Sequence, residues 1–144
     1  MNLSEFKTEY QFNKWFFDSK NCRKYYFTYV NLHDEFEYPN TRVFRLTDKN
    51  KTLGLCLISE YDNREIFINL FEIKEEFRGK GYGKILFNLL LQKLKPKYVQ
   101  LDYAGDDAYM FWKHLGFHKH RGYYKNLFGE NNVYKNIKKK EYEL

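Results

Sequence analysis

The chain has 144 residues, and its 25 basic and 19 acidic side chains give a formal net charge of +6. This length suits a single domain, residues 1–144, with a sizeable core. No apolar run reaches the roughly 18 residues of a membrane span, and the first residues lack the apolar segment of a secretory signal, so we expect a cytoplasmic protein. The two cysteines, Cys22 and Cys56, are too few for a disulfide framework or a zinc site, and we expect no metal centre.

The first forty residues predict one helix and two less regular segments. The helix is expected to open at Ser4 and to carry three aromatic residues at helical spacing: Phe12, Trp15 and Phe16. Residues 23–30 are rich in aromatic and β-branched side chains, which fits a strand, a second helix or an irregular bridge. Residues 33–37 are polar and acidic, which indicates a solvated loop rather than a metal site.

The middle of the chain predicts an antiparallel meander of three strands. Residues 42–46 and 52–59 have strand-like composition and are separated by a polar turn. A second turn leads into residues 65–73, where only Asn69 and Glu72 interrupt an apolar run after the first residue. A run of this kind is typical of a strand that is covered on both faces in the middle of a sheet.

The loop after this strand combines three glycines at every second position with cationic side chains. It consists of Arg78, Gly79, Lys80, Gly81, Tyr82, Gly83 and Lys84. The segment that follows has apolar residues three and four positions apart, which predicts an amphipathic helix. Glycines let a backbone approach a ligand closely, and the free N–H groups at a helix start bind anions. Lysines there oppose the helix dipole, so their presence favours a phosphate or pyrophosphate ligand over two merely solvated side chains.

Two common phosphate-binding motifs do not fit this loop. A Walker loop would need Ser or Thr after Lys84, where the chain has Ile85, and a Rossmann turn has a different glycine spacing directly after a first strand. The pattern that fits is [QR]-x-x-G-x-[GA], with Arg78, Gly81 and Gly83 at its fixed positions. This is the acyl-CoA pyrophosphate loop of the GNAT N-acetyltransferases, and the chain resembles that superfamily.

A second motif supports the resemblance. Pro96 ends the helix, and residues 98–103 predict a strand parallel to residues 65–73, because the helix must cross over between them. The next segment predicts a short helix with Asp106 as N-cap and Gly116 as C-cap. Its apolar residues, at helical spacing, are Ala108, Phe111, Trp112 and Leu115. The pattern A-x-x-F-[YW]-x-x-x-G-F resembles the second signature of GNAT proteins.

The resemblance implies the fold and the cofactor. We expect a mixed α/β domain with about four helices and a central sheet of six or seven strands, in which an antiparallel meander leads to a splayed parallel pair. Acetyl-CoA would enter the splay, with its pyrophosphate on the glycine loop and its pantetheine against the main chain of Phe71, Glu72 and Ile73. The second signature would add Asp106, Phe111 and Trp112 to the cofactor site.

The catalytic residues are less sharply defined. Asp102 ends the strand after the crossover, where ribosomal-protein acetyltransferases carry a catalytic glutamate, so it is our candidate general base. Glu72 is the competitor, while a strand-end aspartate bound to backbone is the structural alternative for Asp102. The usual general acid of the second signature is a Tyr, but here it is Trp112, whose indole cannot deliver a proton. Tyr109, Tyr123 or Tyr124 would have to replace it.

The C-terminal part predicts two strands, residues 118–124 and 131–137, around a loop at residues 126–130. The Tyr123–Tyr124 pair resembles the tyrosine-pair loop that lines the substrate groove of N-terminal amino acetyltransferases. The resemblance therefore implies that Tyr123 and Tyr124 contact the acceptor.

These observations predict an acetyl-CoA-dependent N-acetyltransferase that acts on a primary amine, possibly a protein or peptide N-terminus, as a monomer or homodimer without a membrane partner. A small amine or an aminoacyl-tRNA would need the same core and a different groove. Because of Trp112, a non-catalytic acyl-CoA-binding module is a second hypothesis. A nucleic-acid binder is disfavoured, since the basic residues are spread along the chain and no nucleic-acid motif is present.

Overall fold

The computed structural model describes residues 1–18 and 40–143. The strands in these ranges are β1 (Asn2–Phe6), β2 (Thr41–Asp48), β3 (Lys51–Tyr61), β4 (Glu65–Ile73), β5 (Tyr98–Asp102), β6 (His118–Lys119) and β7 (Asn132–Asn136). The α-helices there are α1 (Glu9–Asp18), α2 (Tyr82–Leu94), α3 (Asp106–His114) and α4 (Gly122–Phe128). Short 3-10 turns occur at Asp62–Arg64, Glu75–Phe77 and Lys139–Glu141.

The seven described strands form one sheet at the centre of the fold, in the order β1-β2-β3-β4-β5-β7-β6. The meander from β1 to β4 is antiparallel, and β4 pairs with β5 in parallel. This parallel pairing covers only residues 65–68 of β4 against residues 98–101 of β5. Beyond Ile68 the two strands diverge, so the predicted α/β fold with a splayed parallel pair is confirmed.

Two layers of helices cover the sheet. Side chains alternate between the faces of a strand, so Phe44 and Cys56 lie on one face of β2 and β3, whereas Val43 and Leu55 lie on the other. The first face belongs to the core that contains Leu86, Phe87, Leu90 and Leu91 of α2 and Trp112 of α3. The second face packs against Phe12 and Phe16 of α1. None of the helices in the described part of the chain is long and apolar enough to span a membrane.

The start of the chain differs from the sequence prediction. Ser4 does not open a helix but pairs with Arg45 in β1, at the edge of the sheet. The helix begins at Glu9, after Thr8, whose Oγ1 accepts a hydrogen bond of 3.1 Å from the Gln11 amide. The helical spacing of Phe12, Trp15 and Phe16 is confirmed within α1. Cys22 and the predictions for residues 23–30 and 33–37 lie outside the described residues.

The predicted strand over residues 118–124 is also wrong beyond its second residue. Only His118 and Lys119 pair with β7, and Gly122 begins α4, which contains the tyrosine pair. The rings of Tyr124 and Phe128, one helical turn apart, stack at 6.5 Å. Aromatic residues favour strands by packing on a sheet face, and here they pack on each other along a helix.

The degree of burial along β4 is lower than the sequence suggests. Only Ile66 and Ile68 of β4 are fully buried, and the residues from Asn69 to Ile73 are partly buried. The reason is the divergence from β5, which leaves the second half of β4 with no described strand as its neighbour on that side. This half of β4 borders the site described next.

Candidate functional site

The glycine loop ends in an open helix terminus. Gly79 and Gly81 have φ angles of 76° and 86°, a left-handed conformation that disfavours other residues. Gly81 is the N-cap of α2 and makes no side-chain cap hydrogen bond, so the first amides of α2 are left for solvent or a ligand. A Cβ atom at either glycine would meet nothing within 4 Å. The loop is therefore shaped by backbone conformation, and the space beside it is open.

Arg78, the first residue of the motif, ties the loop to the end of β4. Its Nε donates a hydrogen bond of 2.7 Å to the carbonyl oxygen of Ile73, and its Nη2 lies 3.5 Å from Oε1 of Glu72. The Glu72 side chain of this ion pair is largely buried, with 14% of its surface exposed. Arg78 thus positions the backbone of the loop, and Glu72 is engaged by Arg78.

Two exposed lysines and one close helix contact complete the loop. Lys80 and Lys84 are exposed around the first turn of α2, where their charges are suited to an anion. A Cβ atom at Gly83 would come within 3.0 Å of the Phe111 ring. Gly83 is therefore needed for the close packing of α2 against α3, whereas Gly81 is needed for its backbone angle.

A cavity of about 230 Å³ opens where β4 and β5 diverge. Its lining comes from β4, the end of β5 and α3, and comprises Ile68, Asn69, Leu70, Phe71, Leu101, Asp102, Tyr103, Ala104, Ala108 and Trp112. Trp112 is 5% exposed, and its ring packs 4.8 Å from that of Phe71. Among the described residues, the carboxylate of Asp102 and the phenol of Tyr103 thus border an otherwise mostly apolar space.

Asp102 is held by a chain of hydrogen bonds from β7. Asn132, which is 4% exposed, donates from Nδ2 to Oδ1 of Asp102 at 3.0 Å. Its Oδ1 lies 2.7 Å from Nε2 of His120. A carboxylate only accepts hydrogen bonds, so the Asn132 amide must direct its NH₂ group to Asp102 and its oxygen to His120. The protonated Nε2 of His120 is therefore the donor of this hydrogen bond.

Two aromatic rings hold the His120 imidazole. Phe128 of α4 stacks on it at 4.7 Å, and Tyr134 of β7 stacks on it at 4.6 Å. The stacking fixes the plane of the ring and connects α4 to the hydrogen bonds that reach Asp102. Asp102 is predictable from its place at the end of β5, but Asn132 and His120 are not, because the register of β5 against β7 brings them together.

The structure separates the predicted site residues into two groups. Phe71, Asp102 and Trp112 line the cavity, and the glycine loop lies at the end of β4. The other predicted catalytic residues do not line it: Glu72 pairs with Arg78, and Tyr109 packs against Tyr103 at 4.9 Å.

The tyrosine pair of α4 also lies outside the cavity lining. Tyr123 and Tyr124 are 71% and 60% exposed. Tyr103, which directly follows Asp102, lines the cavity although no sequence motif indicates it.

Two further expectations concern α3 and the cysteines. The N-cap of α3 is Gly105 rather than Asp106, because the Tyr109 amide bonds to the Gly105 carbonyl at 3.1 Å. Asp106 is the first helical residue, where the helix dipole stabilises its negative charge.

Burial raises the pKa of the Cys56 thiol, which rules out a reactive thiolate there. Within the described residues, no group of three or more His, Cys, Asp or Glu side chains could hold a metal ion.

The comparison with known families agrees with this architecture. The model of the acetyltransferase (GNAT) family matches residues 6–117, most of the chain. The chain belongs to the GNAT family. Members of this family are acetyltransferases that act with acetyl-CoA, and the chain is assigned to them at that level. No curated protein matches the sequence.

Solved structures show the same fold at low sequence identity. Gcn5 from Tetrahymena superposes with a TM-score of 0.72 at 20% identity, covering 96% of this chain and 97% of that one. The ribosomal-protein-S18-alanine N-acetyltransferase of Escherichia coli gives 0.68 at 14% identity, covering 94% and 93%. A putative streptothricin acetyltransferase from Bacillus anthracis, solved in complex with acetyl coenzyme A, gives 0.56 at 19% identity, covering 79% and 70%.

Proposed function

We propose that this protein transfers an acetyl group from acetyl-CoA to a primary amine, and that the acceptor is the N-terminus of a protein or peptide. The observation that carries the proposal is the cavity at the divergence of β4 and β5, with the Asp102 carboxylate at its border. The similarity to an alanine N-acetyltransferase of a ribosomal protein supports the choice of acceptor at the level of fold.

The residues around the cavity fit a coenzyme A ester. The left-handed Gly81 and the uncapped start of α2 suit a pyrophosphate, and Lys80 and Lys84 suit its charge. On the side of β5, none of the described strands pairs with β4 beyond Ile68. The main chain of Phe71, Glu72 and Ile73 would therefore hold the pantetheine arm as an added strand. Acetyl-CoA, when bound, supplies the activated acetyl thioester.

Asp102 is the proposed general base. An amine acceptor is protonated near neutral pH and must lose its proton before it attacks a carbonyl carbon. The carboxylate of Asp102 borders the cavity, and Asn132 fixes its orientation through Oδ1. In this proposal Asp102 takes the proton from the acceptor, and the Asn132 hydrogen bond holds the carboxylate in place for that transfer.

Tyr103 is the proposed proton donor, in place of the tyrosine that the family motif usually carries, and would protonate the sulfur of coenzyme A as the carbon–sulfur bond breaks. It borders the same cavity as Trp112, and the ammonium of Lys119 lies 5.5 Å from the centre of its ring. The interaction with Tyr103 raises the pKa of Lys119, so the lysine stays cationic beside the phenol. Trp112, packed against Phe71, forms the wall of the cavity and carries no transferable proton.

One observation favours a second candidate function, a non-catalytic acyl-CoA-binding module. Trp112 occupies the position of the usual acid and is almost fully buried among rings. A module of this kind would bind acetyl-CoA through the same loop but would leave every amine unmodified.

Acetyl transfer to a mixture of peptides distinguishes the two functions. The protein is incubated with acetyl-CoA and peptides that differ in their first residue, and mass spectrometry locates the acetyl group. Parallel reactions contain the same peptides with blocked N-termini, a polyamine, or the Asp102→Asn variant. We expect acetylation of free N-termini by the wild type and a large loss in the variant. Binding of acetyl-CoA without acetylation of any amine would favour the non-catalytic module, and acetylation of the polyamine alone would overturn the peptide acceptor.

A further inference from the structure

A groove of about 720 Å³ runs along the sheet edge at β6 and is distinct from the cavity at Asp102. This volume is within the range of ligand-binding clefts. Its lining includes three permanent cations, Lys113, Lys119 and Arg121, and two histidines, His118 and His120. No carboxylate is among its lining residues in the described part of the chain. The groove is therefore suited to an anionic occupant.

The charges around the groove leave its positive potential largely in place. Glu130 is the acidic side chain that acts on Lys119, but it also lies 3.9 Å from the ammonium of Lys125. The carboxylate of Asp102 is bound to Asn132 on the side away from β6, in the pairing of β5 with β7. The Lys119 ammonium lies over the Tyr109 ring at 4.4 Å, which holds it at the groove.

The backbone at the groove is that of an edge strand. β6 pairs with β7 on one side, and no other described strand lies beyond it in the sheet order. The outward N–H and C=O groups of an edge strand are available for pairing with an extended chain. Successive side chains of a strand alternate between the two faces of its sheet. His118 and Lys119 would therefore contact an added strand from opposite faces of the sheet.

An exposed aromatic side chain borders the same groove. Tyr124 lines it from α4 and is 60% exposed. A tyrosine of this kind provides a large contact surface at a small entropic cost, which is typical of surfaces that bind peptides. Cations, an unpaired strand edge and an aromatic side chain thus converge on one groove.

We propose that this groove is a docking site for an acidic peptide segment, which adds as an extra strand to the edge of β6. The cationic side chains select the charge of the segment, and the strand edge selects an extended polypeptide over a nucleic acid. The proposal does not rest on acetyl transfer, because none of its residues is part of the glycine loop or of the cavity at Asp102. A protein that docks here would be held beside Tyr103, which Lys119 also contacts.

Fluorescence anisotropy with labelled octapeptides tests the site. The probe alternates Glu and Thr, and its controls alternate Gln and Thr or Lys and Thr. A fourth peptide keeps the glutamates but has Pro at the other positions, so that it cannot donate backbone hydrogen bonds there. A single-stranded oligonucleotide of equal charge is the fifth probe. We expect the Glu–Thr peptide to bind most tightly, at least about tenfold more tightly than each of the other four probes, a difference of about 1.4 kcal/mol.

Charge-reversal variants locate the binding. The double variant Lys113→Glu/Arg121→Glu removes cations of the groove, and Lys51→Glu/Lys140→Glu makes the same change in net charge at exposed positions elsewhere. We expect the groove variant to bind the Glu–Thr peptide at least about tenfold more weakly than the wild type. The affinity of the control variant should fall by less than about twofold. Equal losses in both variants, equal binding of the Pro peptide, or tighter binding of the oligonucleotide would each overturn the proposal. Circular dichroism of both variants confirms that they are folded.

Discussion

Asn132 donates a hydrogen bond of 3.0 Å to Asp102 from the position directly opposite it, across the pairing of β5 with β7. This relationship places a buried amide behind the carboxylate that borders the cavity. Because the Asn132 oxygen is also bound to His120, the amide cannot turn away without losing both partners. The orientation of Asp102 is therefore set by residues that do not themselves line the cavity.

Replacing Asn132 with Ala is expected to lower kcat about tenfold or more, because a hydrogen bond to a charged group contributes roughly 1.5–3 kcal/mol. The KM for acetyl-CoA should change little, since the glycine loop is untouched. In the Asp102→Asn background the same change should lower kcat little further, which a purely structural role of Asn132 would not produce. An unchanged kcat in a folded Asn132→Ala protein would show that the amide does not position Asp102.

Replacing Asp102 with Asn is expected to lower kcat by roughly 10² to 10⁴, the usual contribution of a general base. The variant keeps the size of the side chain and should still bind acetyl-CoA. Glu72→Gln is the matched comparison, because Glu72 is the other candidate base. Acetyl-CoA binding by the Glu72 variant shows whether its glycine loop is undisturbed. If binding is unchanged and the Glu72 variant loses more kcat than the Asp102 variant, Glu72 rather than Asp102 is the general base.

Replacing Tyr103 with Phe is expected to lower kcat roughly a hundredfold, because the cavity loses its phenolic proton. Trp112→Tyr in that background puts a hydroxyl at the position that the family motif usually reserves for it. We expect the double variant to recover part of the rate. Tyr109→Phe is the control, since Tyr109 packs against Tyr103 but does not line the cavity. If the Tyr109 variant loses more activity than the Tyr103 variant, Tyr109 rather than Tyr103 is the proton donor.

The ion pair between Arg42 and Glu5 predicts a pH dependence of stability. Arg42 donates from Nε and Nη2 to the Glu5 carboxylate at 2.7 Å each, and this hydrogen bonding lowers the pKa of Glu5 below its usual 4.5. A lowered folded-state pKa stabilises the protein above the unfolded-state pKa, and this stabilisation is lost as the pH falls through the folded-state value.

Replacing Arg42 with Met should therefore cost about 1 kcal/mol near pH 7 and less below pH 4.5. Arg45→Met on the same strand is the control, because the guanidinium of Arg45 lies over the Phe6 ring. Urea unfolding between acid and neutral pH measures both variants. A cost for Arg42→Met that does not depend on pH would contradict the account.

The sequence predicts the centre of this fold better than its margins, and the reasons are physical. A continuous apolar strand, three glycines and an amphipathic helix are local features, and the right-handed crossover then requires the parallel partner at β5. Ser4 is not recognisable as part of an edge strand because such a strand depends on pairing with its neighbour, and here that neighbour is β2, which begins more than thirty residues later. The tyrosine pair has a β propensity that packing along α4 outweighs.

The candidate site divides in the same way. The glycine loop and Asp102 follow from motif and position, since both depend on short stretches of chain. The hydrogen bonds from His120 and Asn132 depend on the register of β5 against β7, which the sequence does not contain locally. The motif does not indicate Tyr103, because its usual tyrosine position is that of Trp112, nine residues further along.

Thermal unfolding with and without acetyl-CoA tests most directly whether the loop and the open edge of β4 hold the cofactor. The measurement compares the wild type with Gly81→Asp and with Gly129→Asp. Gly129 has the same sign of φ and the same open surroundings, but lies after α4 and away from the loop. It therefore controls for backbone strain and added charge.

At a concentration of about 100 times Kd, acetyl-CoA should stabilise the wild type by roughly 2.7 kcal/mol, which raises Tm by several degrees. We predict the same shift in the Gly129 variant and none in the Gly81 variant. A wild type whose Tm does not respond to acetyl-CoA, or a Gly81 variant that responds as the wild type does, would contradict the account.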